Sequence, residues 1–568
     1  MMRGHSRWEI VPPADLAEVQ SLATVLNLPP TLAALLIQRG FTSPQEAKVF
    51  LRPSLATLSD PYLLKDMPQA ARLIADTVRA GRSIFVHGDY DVDGQCAAGL
   101  LTRILRLAGA EVIPFVPHRL RDGYDFGPAG LSAALANGAS LVITCDCGVT
   151  AHETVTRAKE AGLAVVVTDH HVPGELPPAD AVVNPRREDC ESPSKELCGA
   201  GVAFKLAQAV CSELDMAENA PLHVLDLVAM ATVADIVPLI GENRTLVRFG
   251  LKMMERTRWP GLRALLAVTG LAGKQIRAGQ VGFVLGPRLN AAGRVGDAMD
   301  GLRLLLTDDE HAAHDLARSL DTINARRQEI DERILAEAID DIEHTVDLES
   351  SLGLVLAREG WHPGVIGIVA SRIVERYHRP TILVALEGDE GRGSGRSIPG
   401  FDLHDALGRS AEHLDRWGGH RAAAGLTLRR DRLEPFRAAF NEVAAQELSA
   451  EDLIPAQRID IVGTVSSFDA ELERLMRHLE PFGPGNPAPI LGVERAFARS
   501  PETVGSNHLK FTLEDDSGKL PAIGFDWADR VEQDWWRRPV DVALRLDRHE
   551  WRGRSSLQAR VVQIKPTD

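Results

Sequence analysis

The sequence predicts an α/β protein with a doubly wound parallel sheet, a long connecting helix, a smaller second α/β region and a C-terminal all-β barrel. Three observations support this fold class. Apolar runs alternate with helical stretches from about 64 to 240, one helical pattern spans about 308 to 346, and short alternating strands follow about 455. Apolar strands separated by helices are typical of parallel sheets, and closely spaced alternating strands are typical of small barrels.

Composition restricts the class of protein before any motif is considered. The 568 residues are too many for one ordinary core, and 45% are hydrophobic, 25% are charged and the net charge is −16. No apolar run reaches the ~18–20 residues that cross a bilayer, and the N-terminus lacks the apolar core of a signal peptide. The six cysteines form no CxxC pair, which favours a reduced cytoplasm over a zinc or disulfide framework. The acidic balance argues against a general polyanion binder but allows a local basic groove.

The first α/β region contains four predicted strands whose sequences are almost continuously apolar. They are SIFVHGD (83–89), EVIPFVP (111–117), SLVITCD (140–146) and LAVVVTD (163–169). Ligands of open α/β sheets bind at the carboxyl ends of the strands. We therefore expect the functional site of this region at that edge.

Acidic and histidine side chains gather at that edge. If the stretch FVHGDYDVDG (85–94) is extended, its alternate polar residues point to one side. A single Asp at a strand end is usually a helix cap, and a single His is usually a satisfied core or surface residue. Several such groups in one region instead indicate a site for divalent cations, which relieve the repulsion among carboxylates. The residues are His87, Asp89, Asp91, Asp93, Asp146, Asp169, His170, His171 and Asp235.

The second α/β region has predicted strands at 352–359 and 380–387. It also contains a glycine-rich stretch, GSGRS, which we expect to be a flexible turn. Ser394, Arg396 and Ser397 on such a turn would form a cradle for a terminal phosphate, and an ordinary loop is the alternative. His420 lies beside two glycines that let a backbone approach a ligand closely.

The predicted barrel carries a local cationic surplus. Residues 535–565 include three tryptophans, Trp535, Trp536 and Trp551, and only three acidic residues. Cationic grooves with aromatic platforms hold single-stranded nucleic acid, although one or two of these tryptophans are expected in the barrel core. The basic residues are Arg537, Arg538, Arg545, Arg548, Arg552, Arg554, Arg560 and Lys565.

An ordered set of motifs resembles a known family. The segments DYDVDG, DCG, DHH and VADIVPL are similar to the successive motifs of the DHH phosphoesterase superfamily. The rest of the chain resembles the RecJ nucleases within it, over roughly 80 to 565. These further segments are LGPRLNAAGRVGDA (285–298), WHPGVIGIVASRI (361–373), GSGRSIPGFDLHDAL (393–407), GGHRAAAG (418–425) and LEPFGPGNPAP (479–489).

The resemblance implies a domain order. It predicts an N-terminal extension packed on the core (1–63), a DHH domain (64–307), the connecting helix (308–346), a DHHA1 domain (347–450) and an OB-fold (451–568). One position departs from the family pattern. Asp125 stands in GYD where the resemblance predicts the glycine of GYG.

The resemblance also implies a site for two divalent ions, Mn²⁺ or Mg²⁺. Asp146 would bridge both ions, Asp91 would hold one with His87 as a further possible ligand, and the other would be held by Asp93, His170 and Asp235. Two ions about 3.5–4 Å apart activate a water and stabilise both oxygens of an in-line phosphoryl displacement. Asp89, Asp169 and His171 would orient the ligands or contact substrate phosphate.

Substrate contacts follow from the same resemblance. His420 would contact the scissile or a neighbouring phosphate. Further phosphate or sugar contacts are implied for Arg288, Asn290 and Arg294, and Arg119 and Arg121 would contact the 5′ end.

The resemblance predicts a 5′→3′ exonuclease that releases 5′-mononucleotides from single-stranded DNA in recombination and repair. Its partners would be single-stranded DNA, a single-stranded-DNA-binding protein and a helicase, with no membrane, for a cytoplasmic monomer. One alternative is a DHH phosphodiesterase for short oligonucleotides, which would not need an extended basic barrel. The other is an inactive nucleic-acid-binding scaffold, which the complete set of ligand residues disfavours.

Overall fold

The computed structural model describes residues 6–119, 121–531, 533–551 and 554–567. Its backbone divides into two compact units. The central unit comprises Arg52–Arg327 with Glu480–Pro487, and the flanking unit comprises the residues up to Leu51, Gln328–Leu479 and the residues from Ala488 onward. The short segment Glu480–Pro487 thus groups with the central unit, although the sequence predicts it inside the OB-fold.

The strands follow in chain order. They are β1 (Arg7–Ile10), β2 (Ile84–Gly88), β3 (Val112–Phe115), β4 (Leu141–Cys145), β5 (Ala164–Thr168), β6 (Ala181–Val183), β7 (Leu354–Glu359), β8 (Thr381–Glu387), β9 (Glu390–Arg396), β10 (Arg416–His420), β11 (Ala423–Arg429), β12 (Ala456–Ile459), β13 (Ile461–Val462), β14 (Leu491–Val504), β15 (His508–Asp515), β16 (Gly518–Gly524), β17 (Val540–Trp551) and β18 (Arg554–Pro566).

The helices connect and cover these strands. They are α1 (Leu16–Leu26), α2 (Pro30–Gln38), α3 (Pro44–Leu51), α4 (Met67–Arg79), α5 (Val92–Leu107), α6 (Pro128–Ala136), α7 (His152–Glu160), α8 (Gly199–Glu213), α9 (Leu225–Ala234), α10 (Gly241–Met254), α11 (Pro260–Val268), α12 (Ala278–Gln280), α13 (Gly286–Val295), α14 (Ala298–Leu306), α15 (Glu310–Thr345), α16 (Ile366–Tyr377), α17 (Leu403–Arg409), α18 (Leu433–Glu447) and α19 (Ala470–Met476).

The sheet of the central unit is parallel throughout, with the order β3-β2-β4-β5-β6. Ile84 and Val86 of β2 face one buried cluster, while Phe85 between them faces another. Both faces of the sheet are therefore covered, which is why its strands are apolar without a polar alternation. The four predicted strands form β2 to β5, and β6 is an additional short strand. The predicted fold class is confirmed.

The polar alternation that begins at His87 does not continue as an extended strand. Strand β2 ends at Gly88 and α5 begins at Val92, so the expectation of one extended face over 85–94 is wrong. Glycine at position 94 permits this sharp turn, because a Cβ there would lie 2.3 Å from the backbone nitrogen of Asp89. Asp91 then caps α5 and Asp93 lies in its first turn.

The second sheet belongs to the flanking unit and has the order β10-β11-β9-β8-β7. The GSGRS segment was expected to be a turn, but Gly393–Arg396 lie in strand β9, between β8 and β11. This expectation is wrong because the glycines make room for neighbouring side chains. A Cβ at Gly393 would lie 2.6 Å from Leu426, and one at Gly395 would lie 2.9 Å from Leu403.

The barrel is formed by β14, β15, β16, β18 and β17, and the pairing of β14 with β17 closes it. Trp535 is buried, and the ring of Trp536 lies 6.2 Å from that of Phe511, so both contribute to packing. Arg552 and the side chains of Trp551 and Arg554 lie outside the described residues.

The long helix α15 extends over 36 residues and spans the two units, as the sequence predicts. Within the described part of the chain, no single helix has both the length and the apolarity to cross a membrane. Leu16–Leu26 and Pro30–Gln38 meet that test only as a pair, which is bent by 114°.

Candidate metal centre

The start of α5 places two carboxylates of the site. Asp91 accepts hydrogen bonds from the backbone nitrogens of Asp93 (2.9 Å) and Gly94 (3.1 Å), as an N-cap residue does. Asp93 is buried, and its carboxylate accepts from Gly199 N (2.6 Å) and Ala200 N (2.7 Å) at the start of α8. The first turn of α8 therefore fixes Asp93, a contribution that the sequence analysis did not predict.

Asp146 follows β4 and has a left-handed backbone, with a φ of 64°. Its backbone nitrogen donates to Thr168 O at 3.0 Å, which ties the turn to the end of β5. A Cβ at Gly199 would lie 2.4 Å from the Cβ of Asp146, so only glycine allows α8 to approach this closely. The side chain of Asp146 is held where the ends of β4 and β5 and the start of α8 meet.

Asp169 organises the two histidines that follow it. Its Oδ1 accepts from His170 N (2.7 Å) and His171 N (3.0 Å) and lies 2.7 Å from His171 Nδ1. Its Oδ2 accepts from Val149 N at 3.0 Å. Both oxygens are thus engaged inside the protein, where they hold the two histidines and the turn at Val149 in place.

Asp235 completes the site from the end of α9, where it is the C-cap residue. His170 Nε2 lies 3.1 Å from Asp146 Oδ1, 3.6 Å from Asp235 Oδ2 and 3.8 Å from Asp93 Oδ2. Three carboxylates from three separate segments thus converge on one ring nitrogen.

The converging atoms form three overlapping groups that could each hold a metal ion. The groups are Asp93, His170 and Asp235; Asp89, Asp91 and Asp146; and Asp146, His170 and His171, with ligand atoms within 4.8 Å of one another. We call these seven residues the acidic cluster. The first group contains three of the residues that the resemblance implies for one ion. The second contains Asp91 and Asp146 together with Asp89, for which the resemblance implies an orienting or substrate-binding role. The ligand assignment therefore stays a prediction.

Several buried atoms of the acidic cluster make no hydrogen bond to any described residue. They are Asp89 Oδ1, Asp146 Oδ1, His170 Nδ1, His170 Nε2 and Asp235 Oδ2. A buried polar atom that lacks a partner costs about 1–3 kcal/mol, so five such atoms in one place need an explanation. Divalent cations fit the position because carboxylate and imidazole atoms are their ligands.

The pKa values of the acidic cluster also indicate a site for cations. Burial and the Asp91 carboxylate raise the pKa of Asp93 to about 7, and burial and the Asp93 carboxylate raise that of Asp235 to about 9. Burial and the Asp93 carboxylate also raise the pKa of Asp146. Burial and the adjacent His171 lower the pKa of His170 to about 4, so its ring is neutral at pH 7 and can bind a cation.

His87 is not in any of the three groups that the described residues form. Its buried ring packs against Phe115 and Phe126, with centroid distances of 5.4 and 5.2 Å. Its Nδ1 lies 3.6 Å from Cys147 Sγ, and burial lowers the pKa of the imidazole to about 4. His87 thus lies among aromatic rings beside the site.

The arginines predicted to contact phosphate lie in different settings. Arg119 lies 4.9 Å from the ring of Tyr90, whereas Arg121 is mostly exposed and binds Asp122 through two nitrogens. Arg288 donates to Asp321 (2.8 Å) and to Val284 O (2.6 Å), so its guanidinium is already engaged within the protein.

Two further residues of that motif lie on α13. Asn290 Oδ1 accepts from Val92 N at 3.1 Å, which joins α13 to the start of α5. Arg294 is half-buried on the last turn of α13 and interacts electrostatically with Tyr90.

In the flanking unit, Ser394 and Arg396 lie together on β9. Arg396 Nη1 donates to Ser394 Oγ at 3.3 Å and to Gly395 O at 2.7 Å. A Cβ at Gly367, in the first turn of α16, would lie 2.8 Å from Ser394 Oγ and 3.1 Å from Arg396 Nη2. Both side chains therefore lie against the N-terminus of a helix, which favours anions.

The remaining two predicted residues of this unit differ from that pair. Ser397 Oγ donates to Phe401 O at 2.9 Å and so stabilises the following turn. His420 is exposed at the end of β10, next to Gly419, whose φ of 138° requires glycine.

The loop between β3 and α6 contributes one residue, Tyr124, that the sequence did not predict for the site. The Tyr124 hydroxyl lies 3.5 Å from both ring nitrogens of His171, and burial and nearby carboxylates, Asp89 first, raise its pKa. The motif HRLRDGYD identified this loop, but only the fold brings Tyr124 over the end of β5.

Comparisons with known proteins agree with this architecture. Residues 83–232 match the DHH family, N-terminal domain, residues 351–446 match the DHHA1 domain, and residues 459–563 match the RecJ OB domain. The chain is 39% identical to the single-stranded-DNA-specific exonuclease RecJ of Dickeya dadantii, over 95% of this chain and 96% of that protein. It is 35% identical to RecJ of Thermus thermophilus, over 99% of this chain and 79% of that protein.

The chain is also similar to solved structures of RecJ. The crystal structure of RecJ from Thermus thermophilus in complex with Mn²⁺ has a TM-score of 0.86 and 33% identity, over 100% of this chain and 80% of that chain. A Mg²⁺ complex of the same protein has a TM-score of 0.80 and 32% identity, over 99% of this chain and 79% of that chain.

Proposed function

The chain belongs to the RecJ family, and we propose that it is a single-stranded-DNA-specific exonuclease that uses two divalent ions and degrades strands in the 5′→3′ direction. The observation that carries the proposal is the convergence of the acidic cluster, with its buried atoms that have no hydrogen-bonding partner among the described residues. The family membership favours this function over a phosphodiesterase for short oligonucleotides and over an inactive scaffold.

Of the three ligand groups, the first two have no residue in common, and we assign one ion to each of them. Asp93, His170 and Asp235 would hold one ion, Asp91 and Asp89 would hold the other, and Asp146 would contact both. Bound Mn²⁺ or Mg²⁺ would activate a water and neutralise charge on the phosphate and the leaving oxygen. The N-terminus of α8 keeps Asp93 aimed at the site, and Asp169 keeps His170 and His171 in place.

The 5′→3′ direction is proposed from the resemblance to the RecJ family, and we further propose a pocket for the terminal phosphate. Ser394 and Arg396 present a hydroxyl and a guanidinium beside the N-terminus of α16. A guanidinium attracts phosphate by its charge, and its planar shape lets it donate hydrogen bonds to two phosphate oxygens at once. We propose that the pocket binds the 5′-phosphate, and that His420, Arg119, Arg121, Arg288, Asn290 and Arg294 contact the strand or support the residues that do.

The barrel offers a surface for the single strand. Phe525 is 46% exposed, the Arg560 guanidinium lies 5.4 Å from its ring, and the His508 ring lies 5.1 Å away. Arg545 is directly opposite Arg560 across β17 and β18. Like charges opposite each other are destabilising, and a phosphate between them would relieve this, while Phe525 can stack on a base. We call these four residues the barrel surface.

Further properties are proposed from the family alone. The enzyme would release 5′-mononucleotides in the cytoplasm during DNA recombination and repair. It would act as a monomer, with a single-stranded-DNA-binding protein and a helicase as partners.

The test compares single strands, blunt duplexes and dinucleotides, each labelled at the 5′ or the 3′ end, in Mn²⁺, Mg²⁺ or chelator. We expect metal-dependent loss of single strands, with the 5′ label released first as a mononucleotide. Earlier release of the 3′ label would contradict the direction. Preferred cleavage of dinucleotides would indicate the oligonucleotide phosphodiesterase, and binding without cleavage would indicate the scaffold.

A further inference from the structure

Asp125 has a backbone conformation that an aspartate rarely adopts. Its φ is 76°, in the left-handed region that glycine occupies without strain and Asp only occasionally. The side chain at this position is therefore expected to make interactions that offset the unfavourable backbone, and the structure shows them.

The Asp125 carboxylate joins two loops that are distant in sequence. Its Oδ1 accepts from Phe126 N (2.8 Å) and from Gly148 N (2.6 Å), and its Oδ2 accepts from Thr150 Oγ1 (2.6 Å). The first bond stabilises the left-handed turn locally. The other two attach the loop before α6 to the turn between β4 and α7.

That turn is the one that presents Asp146. Asp146 has a φ of 64° and Gly148 a φ of 105°, so the segment follows an unusual path that needs external support. Asp169 Oδ2 supports it at Val149 N, and Asp125 supports it on both sides of Val149, at Gly148 and Thr150. Two carboxylates therefore hold three consecutive residues of the turn.

We propose that Asp125 is a positioning residue for the metal centre. By holding the Asp146 turn, it keeps the Asp146 carboxylate within reach of two ligand groups, one with Asp89 and Asp91 and the other with His170. The inference rests on the proposed two-metal function of the acidic cluster. It concerns this chain in particular, because the carboxylate supplies bonds that a glycine at this position could not.

Three substitutions distinguish the effect of the carboxylate's hydrogen bonds from the effect of the left-handed backbone at position 125. Asp125→Gly keeps the left-handed turn and removes all three hydrogen bonds. Asp125→Asn keeps the Oδ1 acceptor for Phe126 and Gly148, and its amide can still bond Thr150. Thr150→Val removes only the Oδ2 bond, at an exposed residue. The matched control is Asp122→Asn in the same loop, where the carboxylate bonds His118 N and Arg121.

The measurement is the equilibrium binding of Mn²⁺ to metal-free full-length protein, without DNA, beside the melting temperature. Residues that orient metal ligands typically change affinity by about 10- to 100-fold, so we expect Asp125→Gly to weaken Mn²⁺ binding within that range. Thr150→Val should show a smaller loss, and Thr150→Val added to Asp125→Gly should have no further effect. Asp125→Asn and Asp122→Asn should bind Mn²⁺ nearly as the wild type does.

Two results would overturn the proposal. One is wild-type Mn²⁺ affinity in Asp125→Gly, and the other is an equal loss in Asp125→Gly and Asp125→Asn, which would indicate a charge effect without positioning. If the wild type binds Mn²⁺ but degrades no single-stranded DNA, the proposed function fails while a weakened Asp125→Gly still supports the positioning role.

Discussion

In the acidic cluster of the central unit four residues are buried and three are half-buried, whereas three of the four residues of the barrel surface in the flanking unit are exposed. In the cluster, burial and neighbouring carboxylates raise the pKa values of Asp93 and Asp235, and buried atoms have no hydrogen-bonding partner among the described residues. On the barrel surface, the exposed Arg560 lies beside the Phe525 ring, and Arg545 is opposite Arg560 on the neighbouring strand.

This difference separates two tasks. A buried cluster can fix cations in one geometry, and its strained electrostatics are relieved only when the cations bind. An exposed cationic and aromatic surface can hold any strand weakly and let it move. We therefore expect substitutions in the acidic cluster to affect cleavage much more than strand binding, and substitutions on the barrel surface to affect binding first.

The largest effect is expected for Asp146→Ala. Because Asp146 belongs to two of the three ligand groups, its loss should reduce kcat by at least about 10³-fold, while the affinity for single-stranded DNA changes little. The measurement is single-turnover cleavage together with strand binding in Mn²⁺. Near-normal cleavage by a folded Asp146→Ala protein would contradict the assignment of cleavage to the acidic cluster.

The next largest effect is expected for Arg396→Ala. The loss of a charge-assisted contact to phosphate typically costs one to three orders of magnitude in kcat/KM, and it should act only on strands with a 5′-phosphate. The measurement compares kcat/KM for 5′-phosphate and 5′-hydroxyl strands. Arg392→Ala on the same strand is the matched control. Equal losses on both substrates would show that Arg396 supports the fold and does not recognise the end.

The third effect concerns pH. In the metal-free protein the pKa of Asp93 is raised to about 7 and that of Asp235 to about 9, so cations must displace protons at neutral pH. Mn²⁺ affinity should therefore rise as pH increases from about 6 to about 8.5, by about tenfold per pH unit for each proton released. Calorimetry in buffers of different ionisation enthalpy counts these protons, and an affinity independent of pH would contradict the assignment.

The same pKa shifts predict the stability of the metal-free protein. An aspartate whose pKa is raised on folding stabilises the fold below its unfolded pKa and loses that contribution as pH rises through the folded value. The melting temperature in chelator should thus fall between about pH 4 and about pH 9, relative to that of the Mn²⁺-loaded protein.

The smallest effect is expected for Phe525→Ala. Removing one stacking platform should weaken binding of long single strands by about tenfold and leave cleavage of very short oligonucleotides nearly unchanged. Phe525→Tyr retains the ring and should bind like the wild type. If Phe525→Ala instead slows cleavage of short and long strands alike, the barrel surface takes part in catalysis.

The sequence alone predicted much of the fold because its strands are buried on both faces. Continuous apolar runs located β2 to β5, and the acidic residues at their ends identified the edge of the sheet that carries the site. The long helix was visible from its periodicity.

Other features depend on packing that a single sequence does not display. The glycines of β9 look like a turn, yet they make room for Leu426 and Leu403 inside a sheet. The hydrogen bonds that the Asp93 carboxylate accepts from the first turn of α8, and those that Asp125 accepts, join segments far apart in sequence. Glu480–Pro487 packs with the central unit, where Pro484 O accepts from Leu239 N, so a point substitution such as Phe525→Ala tests the barrel more cleanly than a truncation does.

The most direct test of the account is the number of Mn²⁺ ions that the chain binds. Equilibrium titration of the metal-free wild type, followed by electron paramagnetic resonance, should give two ions per chain with the magnetic coupling of a closely spaced pair. Asp146→Ala should lose that coupling and bind both ions far more weakly. A wild type that binds one ion, or an Asp146→Ala protein that keeps a coupled pair, would contradict the two-metal centre.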